Sequence, residues 1–155
     1  MQFRRLNQAY PENVLSTVKN GNAAALPVGA AVVFSPTVLD GYTVDQPTTA
    51  ALSLLAGILA TPLAIGGWGQ VCIYGFRGPC ATIAGHVNMY GALVQNDSGG
   101  GSDIAVGDIL VPTNGQNYLS RSAAGDGKTG LVMAMATYAK GTQSAVEKAV
   151  FVRCM

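Results

Sequence analysis

Glycine and proline residues recur along the whole chain and interrupt its apolar segments, which are therefore short. The clearest case is Gln70–Tyr74, a run rich in β-branched and aromatic residues between Gly66-Gly67 and Gly78-Pro79. A run of this composition that is closed by turn residues predicts a β-strand. One strand cannot bury itself, so this segment requires partner strands from elsewhere in the chain.

Similar segments recur along the sequence and predict an all-β architecture, either a small compact β-barrel or a sandwich. The segment Thr49–Leu59 has a spacing that allows either a short helix or a strand. The last two apolar runs suggest a terminal hairpin. The predicted extended segments are Pro27–Phe34, Tyr42–Gln46, Ala81–Ile83, Val87–Leu93, Ile104–Val111, Tyr118–Leu119, Gly130–Ala139 and Ala145–Cys154.

A weak internal echo joins the two halves of the chain. Gly57–Ala60, followed by a strand through Val71–Tyr74, resembles Gly130–Met133 followed by a strand through Val150–Val152. The pattern suggests two related hairpins that flank one barrel or sandwich.

The length of 155 residues predicts one domain with a sizeable core. Charged residues make up 11% of the chain and the net charge is +1, so self-repulsion is weak and assembly with other subunits is expected. Nine basic residues against eight acidic ones give no basic stripe, which argues against a nucleic-acid partner.

Three cysteines and an N-terminus without an apolar run predict reduced thiols and synthesis in a cytoplasm. A Cys72–Cys80 bridge is the alternative. The uncharged stretch Ala50–Ile65 is interrupted by Ser53, Gly57, Thr61 and Pro62 and has no positive flanks, so we expect no membrane span.

The sequence offers no constellation that predicts a metal, a cofactor or a catalytic centre. Gly127-Lys128-Thr129 ends like a phosphate-binding loop, but Ser122 stands where its first glycine should be. His86 is the only histidine, and the cysteines lack the paired spacing of metal ligands. We therefore expect a protein that is not an enzyme.

Four carboxylates and two aromatic residues leave one alternative function open. The loop carboxylates Asp97, Asp103, Asp108 and Asp126 suit turn capping, while a glycosidase pair is also compatible with them. Trp68 and Tyr74 suit either a sugar-stacking platform or anchors of a protein interface. The alternative to a structural protein is thus a small carbohydrate-binding or hydrolytic β-domain.

The segment Met1–Leu26 mixes polar and scattered apolar residues and is predicted to be an extended arm that orders only against a partner. Residues 27–155 then form the β-rich domain.

The order of short glycine-bounded motifs resembles the head decoration, or cement, proteins of tailed bacteriophages. The resemblance covers roughly Pro27–Arg153. Its motifs are Pro-Val-Gly-Ala-Ala-Val, Gly-Ile-Leu-Ala, Gly-x-Gly-Gln-Val-x-Ile-x-Gly, Val-Gly-Asp-Ile-Leu-Val, Gly-Leu-Val-x-Ala and Val-Phe-Val.

The resemblance implies a compact barrel of the β-tulip type, commonly a homotrimer, that docks on the major capsid protein of an expanded capsid and stabilises it. The protein would then reside on the virion exterior and have no catalytic residues. Its arm would contact the capsid, which points to Phe3, Arg4, Arg5 and Tyr10. Trp68 and Tyr74 are the candidates for self-association.

Overall fold

The computed structural model describes residues 13–48, 53–77, 92–94, 104–121, 132–135 and 146–154. These residues contain eleven strands and no helix, which confirms the predicted mainly-β class. The strands are β1 Asn13–Asn20, β2 Ala31–Phe34, β3 Thr43–Asp45, β4 Leu55–Leu59, β5 Trp68–Arg77, β6 Ala92–Val94, β7 Ile109–Pro112, β8 Leu119–Arg121, β9 Val132–Ala134, β10 Val146–Lys148 and β11 Val150–Arg153.

The first five strands form a closed barrel. Neighbours follow the order β1, β3, β2, β4, β5, and β5 pairs back onto β1. The β1–β3 pair is parallel and the other four pairs are antiparallel. Closure leaves these strands without a free edge, which removes the usual route to association by strand addition.

Small and branched apolar side chains fill the first barrel. A fully buried Val, Leu or Ile side chain contributes roughly 1.5–3 kcal/mol, so this cluster is a main source of stability. Its buried members are Val18, Leu26, Ala30, Val32, Val44, Ala56, Leu59, Leu63 and Val71.

The remaining strands repeat the same pairing scheme. β6 is parallel to β8 and antiparallel to β10, β7 pairs with β8 and β9, and β9 pairs with β11. Only Ala149 separates β10 from β11, so together they act as one strand that closes the set. Strands β6 to β11 therefore form a second barrel in which β6, β7, β8, β9 and β10–β11 correspond to β1, β2, β3, β4 and β5.

The correspondence between the barrels extends to individual backbone hydrogen bonds, whose first-barrel and second-barrel versions join corresponding residues. Gly29 and Gly107, which precede β2 and β7, both have positive φ, at 78° and 93°. The matched bonds are Gly29 N to Leu59 O and Gly107 N to Ala134 O; Leu59 N to Ala30 O and Ala134 N to Asp108 O; Ala60 N to Gln70 O and Met135 N to Ala149 O; and Ser35 N to Thr43 O and Thr113 N to Tyr118 O.

The echo seen in the sequence thus lies on corresponding strands, β4–β5 and β9–β11. The alignment that the sequence suggested for this echo is nevertheless shifted by two residues, because the strand register matches Gly57 with Val132 rather than with Gly130. A bulge where β2 meets β4 accompanies Gly57 and obscures the match.

β5 belongs to both barrels. On one side, Trp68–Gly75 pairs with β1. On the other side, Val71 and Cys72 pair with β4, and Tyr74–Arg77 pairs with β11. The stretch predicted to be the central strand is therefore the longest strand of the described chain and joins the two halves.

The two barrels also meet where β2 begins. In the first barrel, Lys19 N donates to Tyr42 O and closes the gap between β1 and β3. In the second barrel this gap admits β2 of the first: Leu93 N donates to Gly29 O, and Asn117 O accepts from Ala31 N. Residues of β2, β4 and β5 thereby complete the core of the second barrel.

One prediction from the sequence needs correction, and the structure decides one alternative that the sequence left open. Residues 13–26 do not await a partner, because β1 closes the first barrel and Leu26 bridges to Leu63. Within Thr49–Leu59, residues 55–59 form strand β4 rather than a short helix. For residues 1–12, which lie outside the described residues, the arm stays a prediction.

Deletion of residues 1–26 removes β1 and should abolish cooperative unfolding of the first barrel, because Val18 and Leu26 leave its core. Deletion of residues 1–12 leaves every described strand in place and should preserve the transition. Urea unfolding followed by circular dichroism compares the two. Equal midpoints for both truncations would contradict the role of β1.

Gly57 has φ 143°, and a Cβ at this position would collide with the carbonyl oxygen of Cys72 on β5. Gly57→Ala should therefore cost about 3 kcal/mol or more of unfolding free energy. Gly115→Ala is the control, since Gly115 has φ 68° but open space around it, and should cost about 1–2 kcal/mol. Similar losses in both variants would show that the close approach of β4 and β5 is wrong.

Candidate functional site

Large apolar side chains are exposed at several places in the described part of the chain, and a ring contact or the strand register groups some of them into two sets. The first group, here called the loop patch, lies on the turns of the first barrel and comprises Val38, Leu39, Tyr42, Ile65 and Trp68. Leu39 is 88% exposed and Trp68 is 59% exposed. Exposed apolar groups of this size mark interaction surfaces more often than isolated surface residues do.

The loop 35–42 is held in place by Asp40. Its Oδ1 accepts hydrogen bonds from the backbone N–H groups of Tyr42 at 3.0 Å and Thr43 at 2.7 Å, and its Oδ2 accepts from Thr43 Oγ1 at 2.6 Å. Gly41 supplies the positive φ that the turn requires. Val38 and Leu39 are thus presented on an ordered turn.

Tyr42 and Trp68 stack on each other, with ring centroids 5.2 Å apart and planes inclined by 27°. The turn before Trp68 is fastened by Asn20, whose backbone N–H donates to Gly67 O at 2.9 Å and whose Nδ2 donates to Ala64 O at 3.1 Å. The stack therefore links the two turns into one surface.

The second barrel shows that this apolar character is not required by the fold. Asn117 corresponds to Tyr42, since each directly precedes the residue that accepts the hydrogen bond from Ser35 or Thr113. Glu147 occupies the register position of Trp68, because it pairs with Leu93 as Trp68 pairs with Lys19. The same barrel is built with polar residues at both places.

The second exposed group, here called the second-barrel row, crosses four neighbouring strands. Ile109 pairs with Met133, Met133 with Phe151, and Phe151 with Phe76. Directly paired residues of antiparallel strands share a face, so these four side chains form one apolar line. Met133 is 43% exposed and Ile109 is 37% exposed, while Phe151 and Phe76 are half-buried.

Tyr74 lies beside this row and meets Phe151 edge to face at a centroid distance of 5.3 Å. Trp68 is on the same strand, but six residues at about 3.3 Å each place it about 20 Å away. Tyr74 and Trp68 therefore belong to two different surfaces and do not form a common sugar-stacking platform.

Of the four loop carboxylates considered for catalysis, only Asp108 lies in the described residues. Its Oδ2 accepts from Ala105 N at 2.8 Å and pairs with Arg121 Nε at 3.0 Å. The predicted turn-capping role is confirmed for Asp108. Asp97, Asp103 and Asp126 lie outside the described residues.

The described cysteines are free thiols that burial makes poor nucleophiles. Burial raises the pKa of Cys72 despite the nearby positive charge of Arg77. Burial, with an added contribution from Cys72, raises the pKa of Cys154 to about 12. Within the described ranges no three His, Cys, Asp or Glu side chains group as metal ligands, and His86 and Cys80 lie outside those ranges.

The predicted capsid-contact residues Phe3, Arg4, Arg5 and Tyr10 also lie outside the described residues, so their role stays a prediction. No helix in the described ranges is long and apolar enough to cross a membrane.

Comparison of the sequence with models of protein families and with curated proteins finds no match. The resemblance to decoration proteins thus continues to depend on the order of motifs in the sequence.

Asp40 gives the loop patch a measurable pH signature. Desolvation acts to raise the pKa of Asp40, but hydrogen bonds from Thr43 and Tyr42 outweigh it and lower the pKa from 3.8 to about 2. A lowered pKa in the folded state stabilises the protein above pH 3.8, and this stabilisation is lost as the pH falls towards 2.

Asp40→Asn should therefore unfold at a lower urea concentration than the wild type at pH 6, and this difference should shrink between pH 4 and pH 2. Urea titrations across this pH range measure it. A difference that stays constant over the range would contradict the lowered pKa.

Proposed function

We propose that the protein is a non-enzymatic decoration protein that binds the outer surface of a phage capsid and stabilises it. The structural observation that supports this proposal most is the pair of exposed apolar surfaces, one on each barrel, in a chain with 11% charged residues. Such surfaces suit contacts between proteins, because the core of an interface is poor in charge and rich in aromatic residues and methionine.

The two barrels suit a load-bearing role. β5 runs through both, so a pull on either barrel is borne by the antiparallel ladders between β5 and its partners β1, β4 and β11. A chain that holds neighbouring capsomers together needs such continuity, because a force on its contacts with the capsomers also acts on its own fold.

In this proposal residues 1–12 contact the major capsid protein through Phe3, Arg4, Arg5 and Tyr10, and the barrels contact other copies of the chain. Several weak contacts made at once hold a protein much more firmly than each alone. The protein would be made in the host cytoplasm and reside on the exterior of the virion.

The test is cosedimentation of the full-length protein with expanded, DNA-free heads of the phage that encodes it. We expect the wild type to bind, and deletion of residues 1–12 to weaken binding by at least about tenfold. A variant with Asn7→Ala and Gln8→Ala is the matched control and should bind like the wild type.

Absence of the wild-type protein from the head fraction would contradict the proposal. A rise in melting temperature with a glycan, together with glycan hydrolysis, would instead favour the carbohydrate-active alternative.

A further inference from the structure

The second-barrel row has a counterpart in the first barrel that is completely covered. Ala31 pairs with Ile58, and Ile58 pairs with Cys72, which is the cross-strand line that corresponds to Ile109, Met133 and Phe151. Ala31, Ile58 and Cys72 each have 0% exposure, because the second barrel packs over them. The same position of the same barrel is thus an interface in one half and open in the other.

The covering contact includes the loop 113–117 of the second barrel. Asn117 O accepts from Ala31 N at 3.1 Å, and Gly115 N donates to Pro47 O at 2.8 Å. In the first barrel the corresponding loop is 35–42, which carries Val38, Leu39 and Tyr42 of the loop patch. The side chains of Val38, Leu39 and Tyr42 in this loop are exposed.

Among the described residues, each half of the intrachain interface therefore has an equivalent that is partly or largely exposed. We propose that the second-barrel row of one copy docks against the loop patch of another copy, which repeats the barrel-to-barrel arrangement between chains. The partner is a second copy of this chain because Tyr42, which corresponds to the covering residue Asn117, is exposed on the first barrel and stacks on the exposed Trp68.

The contact between copies differs from the intrachain contact in its chemistry. Ala31 and Cys72 are small and let the backbones approach, whereas Met133 and Phe151 keep the partner at side-chain distance. Tyr42 O is already engaged by Lys19 N, so the loop offers side chains and not its backbone at that point. The result is a reversible contact between two apolar surfaces.

Two other occupants fit the surfaces less well. A membrane would have to accept the ionised Asp40 carboxylate in the loop patch, and among the described residues Lys19 is the one cation that lies opposite a patch residue, Trp68, in the strand register. Alternatively, each surface could bind the same surface of another copy. That arrangement would not explain why the two surfaces correspond to opposite sides of one intrachain interface.

The contact is heterologous, with different surfaces on the two partners, so it generates a ring where the rotation closes and a chain where it does not. This inference deepens the proposed function by naming its self-association surfaces. Its test uses purified protein without capsids, so it can fail while capsid binding holds, and the reverse.

The experiment measures the mass of the full-length protein by sedimentation as its concentration is raised. The row variant carries Met133→Glu, and the loop variant carries Leu39→Glu. Both side chains are exposed, so the barrels should fold, which circular dichroism and the melting temperature check. We expect the wild type to associate and each variant alone to associate at least about tenfold more weakly.

A mixture of the two variants is the decisive sample. The row variant keeps an intact loop patch and the loop variant keeps an intact row, so the mixture should form one-to-one pairs that neither variant forms alone. Asn114→Glu places the same charge on the exposed corresponding loop of the second barrel and should associate like the wild type. A monomeric wild type, unaffected variants, or a mixture that stays monomeric would each overturn the proposal, as would binding to neutral lipid vesicles that Leu39→Glu abolishes.

Discussion

The pairing of Tyr74–Arg77 with β11 joins the two barrels into one structure. In the first barrel, Val14 and Leu15 of β1 lie beside β5 at Tyr74 and Cys72. In the second barrel, Arg153 and Phe151 of β11 correspond to Tyr74 and Cys72. They pair with the end of β5 itself, and Phe76 lies opposite Phe151. One strand thus closes the first barrel and also pairs with the strand that closes the second.

This sharing explains how a chain with so few charged residues builds a single folded unit from two barrels. The second barrel is held open by β2 of the first, and its core continues into Ala31, Ile58 and Cys72. Burial of these side chains and the β5–β11 ladder both stabilise the interface between the two barrels. The loop patch and the second-barrel row are the exposed equivalents of that interface, and they are the surfaces through which we propose that chains contact each other.

Much of the architecture could be predicted from local patterns. Gln70–Tyr74 stands out as a central strand because its glycine boundaries and β-branched residues are adjacent in sequence. The link between β9 and β11 at the end of the chain was predictable for the same reason. The strand β1 was not, because its inward Asn20 is polar, and its amide is satisfied by Ala24 O and Ala64 O, the latter 44 residues away.

The surfaces were harder to predict than the strands. Trp68 and Tyr74 were the aromatic candidates from the sequence, but only the strand length separates them into two surfaces, and only the fold brings Tyr42 to Trp68. Ile109, Met133 and Phe76 were missed because a cross-strand row exists only once the register is known. The one available signal was the shared Val-Gly before β2 and β7, at Gly29 and Gly107, which marks the repeat.

Cross-strand nuclear Overhauser effects can show whether β5 pairs with strands of both barrels. We predict that backbone protons of Tyr74–Arg77 show contacts to Val150–Arg153 of β11, while those of Gln70–Cys72 show contacts to both Leu15–Thr17 of β1 and Ile58–Leu59 of β4. A spectrum in which Tyr74–Arg77 shows contacts to β1 or β4 and none to β11 would contradict the account.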